Sequence, residues 1–355
     1  MPLFQRTAIT LLCMITQVFT LTSMLHAQES SVEPIVLPTL NDHLLRDDNE
    51  KFYMYCYRNF EGQESKPWTA GKYGFVRTLR RTDDGLICTK FHEGIDIKPL
   101  KRDRRNNPLD EVCAIAAGSV VYVNSTAGRS NYGNYIVIKH PWACGPIYSL
   151  YAHLSKTHAK VGQKIAAGQS IGQLGYTGAG LNRDRAHLHL ELGLMFTTRF
   201  SGWHKKHFTS PNHHGNYNGI NITGLDIASF YLARQSNPAL TLPEFVKTIP
   251  VHYKITVPRN QVKGGSPELL KRYPWLSGDS SGAYAPSWEM AFSASGFPVS
   301  INPSNRVVSR ASISSIRKCR SKHEYHTKGF VSGTGSRGTL SSSGKRFIQL
   351  MCGQF

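Results

Sequence analysis

Between residues 66 and 200 the apolar positions fall in short runs rich in β-branched and aromatic residues, broken by Gly and Asn. SVVYVN (119–124), NYIVIKH (134–140), IYSLYAHL (147–154) and AHLHLEL (186–192) read as strands. VGQKIAAGQSIGQLGYTG (161–178) spaces five glycines between short apolar pieces, the punctuation of successive tight turns in a small barrel or folded sheet. No helix is expected in this region. Residues 201–287 read as loop and short helical connection. Residues 200–222 are His-, Asn- and Gly-rich and read as a long loop. LDIASFYLARQ (225–235) has helical spacing through Leu225, Phe230 and Leu232, and LPEFVKTI (242–249) reads as a further helical turn. After Val257 the Gly, Ser and Pro content reads as linker. From residue 288 short strands return in AFSASGFPVSI, RVVSRASISSI and KRFIQLMC, so 288–355 is expected to form a small β-rich module.

The N-terminal pattern differs. A short basic start, MPLFQR, precedes an apolar stretch that ends at Leu25-His26-Ala27. Residues 1–27 therefore read as a secretory signal peptide, and the polar Thr, Gln and Ser within the run favour cleavage over a membrane anchor. No other segment is apolar enough to span a bilayer, which implies a periplasmic or secreted protein. Residues 28–65 are polar, with acidic Asp47, Asp48 and Glu50 and an aromatic cluster from Tyr53 to Tyr57, and read as an extension packed on the main domain.

Export changes the reading of the cysteines and the charge. Without Cys13 the chain keeps Cys56, Cys88, Cys113, Cys144, Cys319 and Cys352, an even set that implies disulfides, with Cys319–Cys352 the favoured pair. None forms a CxxC pair. The formal charge of +19 attracts polyanions. For an exported protein an anionic cell-wall polymer or membrane surface fits better than nucleic acid.

The candidate chemistry lies in two segments, FHEGIDI (91–97) and AHLHLEL. In a strand, alternate residues share a face, so His187, His189 and Glu191 point one way and Leu188, Leu190 and Leu192 the other. His92 and Asp96 flank Gly94, which permits an unusual backbone angle or a close approach. Imidazole and carboxylate suit a divalent metal of borderline softness, zinc first. Three ligands leave an open position and one residue over for catalysis. Glu93 and Glu191 are candidates to orient a ligand histidine. His204, His207, His213 and His214 are expected as loop residues at the cleft rim.

The order HxGxD, GNYIVIKH, YAHLS, VGQKIAAGQSIGQLGYTG and HLHLEL resembles the lysostaphin/LytM family of zinc metallopeptidases, over roughly residues 70–197. Those enzymes cut peptide cross-links of bacterial peptidoglycan. The resemblance implies a mainly β, antiparallel sheet or half-barrel catalytic domain over 66–200 and one zinc ion per chain. It implies His92, Asp96 and His189 as metal ligands, with His153 and His187 as the catalytic pair. It also implies peptidoglycan stem peptides and cross-bridges as substrate. Two rivals are a non-catalytic wall-binding protein or amidase activator, and a zinc peptidase acting on other peptides. The intact ligand set argues against the first. The basic stretch KPLKRDRRNNPLDEVC (98–113) departs from the family pattern and is a candidate to line the cleft.

Overall fold

The computed structural model describes residues 32–83, 85–278, 284–318 and 326–355. The expected signal peptide and Cys319 lie outside these residues. The centre is a seven-stranded antiparallel sheet. Its main path runs through Lys164–Ile165, Gly118–Asn124, Tyr135–Trp142, Gly145–Ala152, Leu188–Met195 and Ile222–Gly224, and Ile95–Ile97 also pairs with Leu188–Met195. A mainly β, antiparallel architecture is thus what the chain adopts.

Alternation assigns the two faces of this sheet. Ile136, Ile138, Leu188, Leu190, Leu192 and Leu194 enter the main core. Tyr135, Val137, Leu150, Ala152 and Met195 form a second, smaller cluster on the other face. Strand Leu188–Met195 is buried at every position, because neighbours flank it in the sheet and side chains cover both faces.

The N-terminal segment closes one side. Phe52 and Tyr53 are buried in the main core. Met54 N donates to Asp96 O (2.9 Å) and Lys98 N donates to Phe52 O (2.9 Å), so residues 52–54 run alongside 96–98. Helix Ile227–Ser236 covers the same core. Its Asp226 cap accepts from Ser229 N, and Ile227, Ala228, Phe230 and Tyr231 are buried. Leu232, expected inward from its spacing, is exposed. Tyr231 occupies that face instead, its hydroxyl donating to Val36 O (2.7 Å). Thr241 and Glu244 form a capping box that starts helix Leu242–Lys247.

Several expectations fail beyond residue 200. Phe200–His207, read as loop, is a helix that buries Phe200 and Trp203. The stretch after Val257, read as linker, contributes buried Leu269, Tyr273 and Leu276. It also grips the end of the long central strand. The Tyr273 hydroxyl donates to Pro146 O (2.7 Å) and accepts from Met195 N (3.1 Å), and Arg272 Nη2 donates to Phe196 O (2.5 Å).

The second sheet has four antiparallel strands, in the order Pro298–Ser304, Ser287–Phe292, Tyr253–Pro258, Ser312–Ile316. Tyr253–Pro258 is internal to it, although it lies in the stretch read as connection. KRFIQLMC, read as a strand, falls in helix Ser342–Cys352. Ser341 caps the helix start by accepting from Gly344 N, and Gly353 ends it in the left-handed region at φ 68°. Phe347, Ile348, Leu350 and Met351 then share one buried side. No disulfide forms among the described residues, and the favoured pair reaches outside them through Cys319. Cys56, Cys88, Cys113, Cys144 and Cys352 are free thiols, and Cys352 is buried in the terminal helix.

Candidate metal centre and groove

The centre follows from strand pairing. His189 and Asp96 are direct cross-strand partners, and Ala152 pairs with His189 from the other side. Directly opposed residues have Cβ atoms about 5 Å apart, which brings Asp96 and His189 together. His153 follows Ala152, and His187 precedes the strand, bridging to Gly175. His92 ends strand Gly85–His92, one short turn before Ile95–Ile97. Gly94 permits that turn by close approach, since a Cβ there would lie 2.3 Å from Leu190 O.

The five residues converge and are buried. His92 Nε2 and His189 Nδ1 each lie 3.0 Å from Asp96 Oδ1 and 3.0 Å from each other. His187 Nε2 lies 3.3 Å from the same oxygen. The ring centroids of His153 and His187 are 4.8 Å apart.

The outer contacts of each imidazole set its tautomer. His92 Nδ1 donates to Lys72 O (2.8 Å), and His189 Nε2 donates to Glu191 Oε1 (2.9 Å). Both partners are acceptors, so each ring turns a lone pair inward. Two imidazole lone pairs and one carboxylate oxygen thus meet with no hydrogen needed between them, a donor set that fits a divalent cation. With zinc–ligand distances of about 2.1 Å, neighbouring tetrahedral ligands sit about 3.4 Å apart, a few tenths of an ångström beyond the separations here.

His187 Nδ1 donates to Arg185 O (2.6 Å) and His153 Nδ1 donates to Thr177 O (2.9 Å). In the neutral ring this leaves Nε2 as the atom free to accept. His153 sits at φ 63°, an uncommon conformation for a residue other than glycine, and its N–H donates to Tyr132 O (2.8 Å).

Electrostatics match this arrangement. Burial pushes the Asp96 carboxyl up, but His187, His92 and Arg77 outweigh it and hold it well below the usual carboxylate range. Burial lowers His92. Burial alone would lower His189 too, but its hydrogen bonds to Asp96 and Glu191 raise it to about 9. The two carboxylates thus favour positive charge at this point, whether a proton on His189 or a cation that its ring binds. Burial, and then the neighbouring His187 and His189, push His153 well below the ordinary imidazole value, so it remains neutral.

An outer layer holds the ligands. Arg77 Nη2 donates to Asp96 Oδ2 (2.5 Å), leaving Oδ1 for the histidines. The Tyr132 hydroxyl donates to Glu191 Oε1 (2.6 Å), the oxygen that accepts from His189. Burial and the nearby carboxylate push the Tyr132 hydroxyl well above its usual range, so it remains a donor. Glu191 therefore touches His189, whereas Glu93 pairs with Lys328 Nζ (2.9 Å). Arg77, Tyr132 and Lys328 carry no motif that marks them in a single sequence.

The centre opens into a groove of about 1300 Å³. Cys56 to Phe60 of the N-terminal segment and Phe330, Arg346 and Phe347 of the C-terminal part help line it. The basic stretch 98–113 does not. It braces the loop before the central strand instead, with Arg102 Nη1 donating to Arg183 O (2.8 Å) and Asn106 Nδ2 to Asp184 Oδ1 (2.9 Å). The four rim histidines expected from sequence are also absent from the lining, which takes Trp203 and Phe208 from that region. His214 Nδ1 sits between the Tyr122 and Tyr135 hydroxyls at 3.0 and 2.9 Å.

Residues 90–198, which contain all five central residues, match the family described as Peptidase family M23. A Pseudomonas aeruginosa protein named Lipoprotein NlpD/LppB homolog is 37% identical over 81 residues, 23% of this chain and 24% of that protein. The Vibrio cholerae Peptidoglycan DD-endopeptidase ShyA is 40% identical over 86 residues, 22% of this chain and 18% of that protein. The matches therefore span less than a quarter of either relative. Among solved structures, a zinc containing peptidase from Vibrio cholerae is 26% identical, with 41% of this chain and 37% of that chain covered and a TM-score of 0.25. The catalytic domain of the antimicrobial peptidase lysostaphin from Staphylococcus simulans is 22% identical, with 50% and 92% covered and a TM-score of 0.27.

Proposed function

On the premise that the chain carries a peptidase family M23 domain over residues 90–198, we propose that it is an exported zinc endopeptidase that hydrolyses peptide cross-links of peptidoglycan. The observation that carries this reading is the inward turn of three metal-binding atoms beside two histidines anchored through Nδ1 on backbone carbonyls. His92, Asp96 and His189 would hold the ion. Bound zinc supplies an acidified water and polarises the scissile carbonyl. His153 and His187 then do the proton work. Each anchors its Nδ1–H on a backbone carbonyl, so its Nε2 can accept a proton from water and return it to the leaving amine. Once protonated, the same Nε2–H can donate to the developing oxyanion. Burial keeps competing bulk water away from the pair.

The similarity to a peptidoglycan DD-endopeptidase supports the substrate, and the apolar leader at residues 1–27 supports export. Among the described residues no helix is long and apolar enough to cross a membrane. The test has two parts. Metal analysis of the purified protein should find about one zinc per chain, and His189→Ala should lose it. Mass analysis of fragments released from purified peptidoglycan should show new peptide termini. Equal zinc in both proteins would overturn the ligand assignment, and unchanged peptidoglycan would overturn the activity.

A further inference from the structure

Six cationic side chains line the groove: Arg58, Arg77, Lys90, Arg185, Lys328 and Arg346. Only two acidic side chains, Glu93 and Asp96, line it with them. Both are already matched, Asp96 to Arg77 and Glu93 to Lys328. Among the described residues, no ion pair within 4.0 Å involves Arg58, Lys90, Arg185 or Arg346.

Two of these four are held by neutral acceptors. Arg58 Nη2 donates to Val76 O (3.0 Å). Arg185 Nε donates to Tyr55 O (3.2 Å), and its Nη2 lies 3.2 Å from Cys56 Sγ. Such contacts orient a guanidinium without neutralising it. Two of the four are also tied to the centre through the backbone. Arg185 lies two residues before His187 and supplies the carbonyl that takes its Nδ1–H. Lys90 lies two residues before His92 on the same strand and shares its face. Arg346 comes from the C-terminal helix, beside Phe347 and one turn before Leu350, both of which line the groove.

We propose that these four cations select peptides bearing free carboxylates close to the bond that is cut. The proposal rests on the peptidase reading above for the position of that bond, but carboxylate binding can be measured without cleavage. Like charges gathered in a concave site raise the local potential and attract anions. Guanidinium groups suit carboxylates because they donate two parallel hydrogen bonds. A peptide made only of neutral residues leaves all four cations unmatched. A stem peptide with unblocked diaminopimelate and D-alanine carboxylates matches them.

The test compares a free-acid stem tetrapeptide with the same peptide amidated at its carboxylates, by titration calorimetry on the full chain. Wild type should bind the free acid about tenfold more tightly, the size expected for one well-made charged hydrogen-bond pair. The preference should shrink with added salt. The double variant Arg58→Gln, Arg346→Gln should narrow this preference to the share carried by Lys90 and Arg185, with binding of the amide unchanged. Equal wild-type affinities would overturn the proposal, as would an undiminished preference in the double variant. So would tighter binding of a phosphate-linked glycerol polymer than of the free acid. Cleavage of a cross-linked dimer is followed in parallel. A carboxylate preference without cleavage would remove the peptidase reading and leave this one standing. Cleavage of free and amidated dimers at equal rates would do the reverse.

Discussion

The metal corner and the groove walls are built in opposite ways. The corner draws His92, Asp96, His187 and His189 from two short segments on paired strands, and the pairing register brings them together. The walls draw Arg58 from the N-terminal segment and Lys328 and Arg346 from the opposite end of the chain. The corner is thus a product of local periodicity, and the walls are a product of tertiary packing. This difference predicts that corner substitutions alter metal and chemistry, whereas wall substitutions alter what is bound.

The most severe challenge to that division is His153→Ala. This variant should retain zinc and lose hydrolysis by about 10²- to 10⁴-fold, the usual worth of a positioned proton acceptor. Zinc content and turnover measured on one preparation would check it, and loss of zinc would place His153 among the ligands. Arg77→Ala should come next. Asp96 Oδ2 would lose its donor, and zinc affinity should fall by about 10- to 100-fold in a chelator competition. An unchanged affinity would mean that Arg77 belongs with the walls. Lys328→Ala should have the smallest effect. It removes a partly exposed ion pair with Glu93, worth about 0.2–1 kcal/mol in thermal unfolding, and zinc content should remain as in wild type. A fall in zinc would carry the corner into the C-terminal part of the chain.

The same contrast explains what could be read in advance. HLHLEL announces its two faces, and the structure puts the leucines in the core and the histidines toward the centre. Arg77 was not legible. The hairpin of Gly74–Thr82 and Gly85–His92 shifts register between Phe75 and Arg77, and Thr78 takes φ 56°. That irregularity accompanies the turn of Arg77 onto Asp96, and periodicity cannot announce it. Tyr132 reaches Glu191 from a loop, so no spacing marks it. KRFIQLMC was misread because a short apolar run fits either period. Its caps, Ser341 and Gly353, resolve it as a helix. Leu269, Tyr273 and Leu276 were hidden among Gly, Ser and Pro, yet each fills a gap against the main core.

The backbone bonds between residues 52–54 and 96–98 have one more consequence. Ile95–Ile97 is only three residues long and carries Asp96, a candidate metal ligand, at its middle position. Such a short strand gains little from its own pairing, so its permanence is shared with a segment more than forty positions earlier. Proteolytic clipping ahead of Tyr55 would leave every catalytic side chain in the polypeptide yet release the outer edge of the Asp96 strand. Integrity of the leading segment would then serve as a quality mark for the catalytic centre, and nicked chains would be silent copies of an intact sequence.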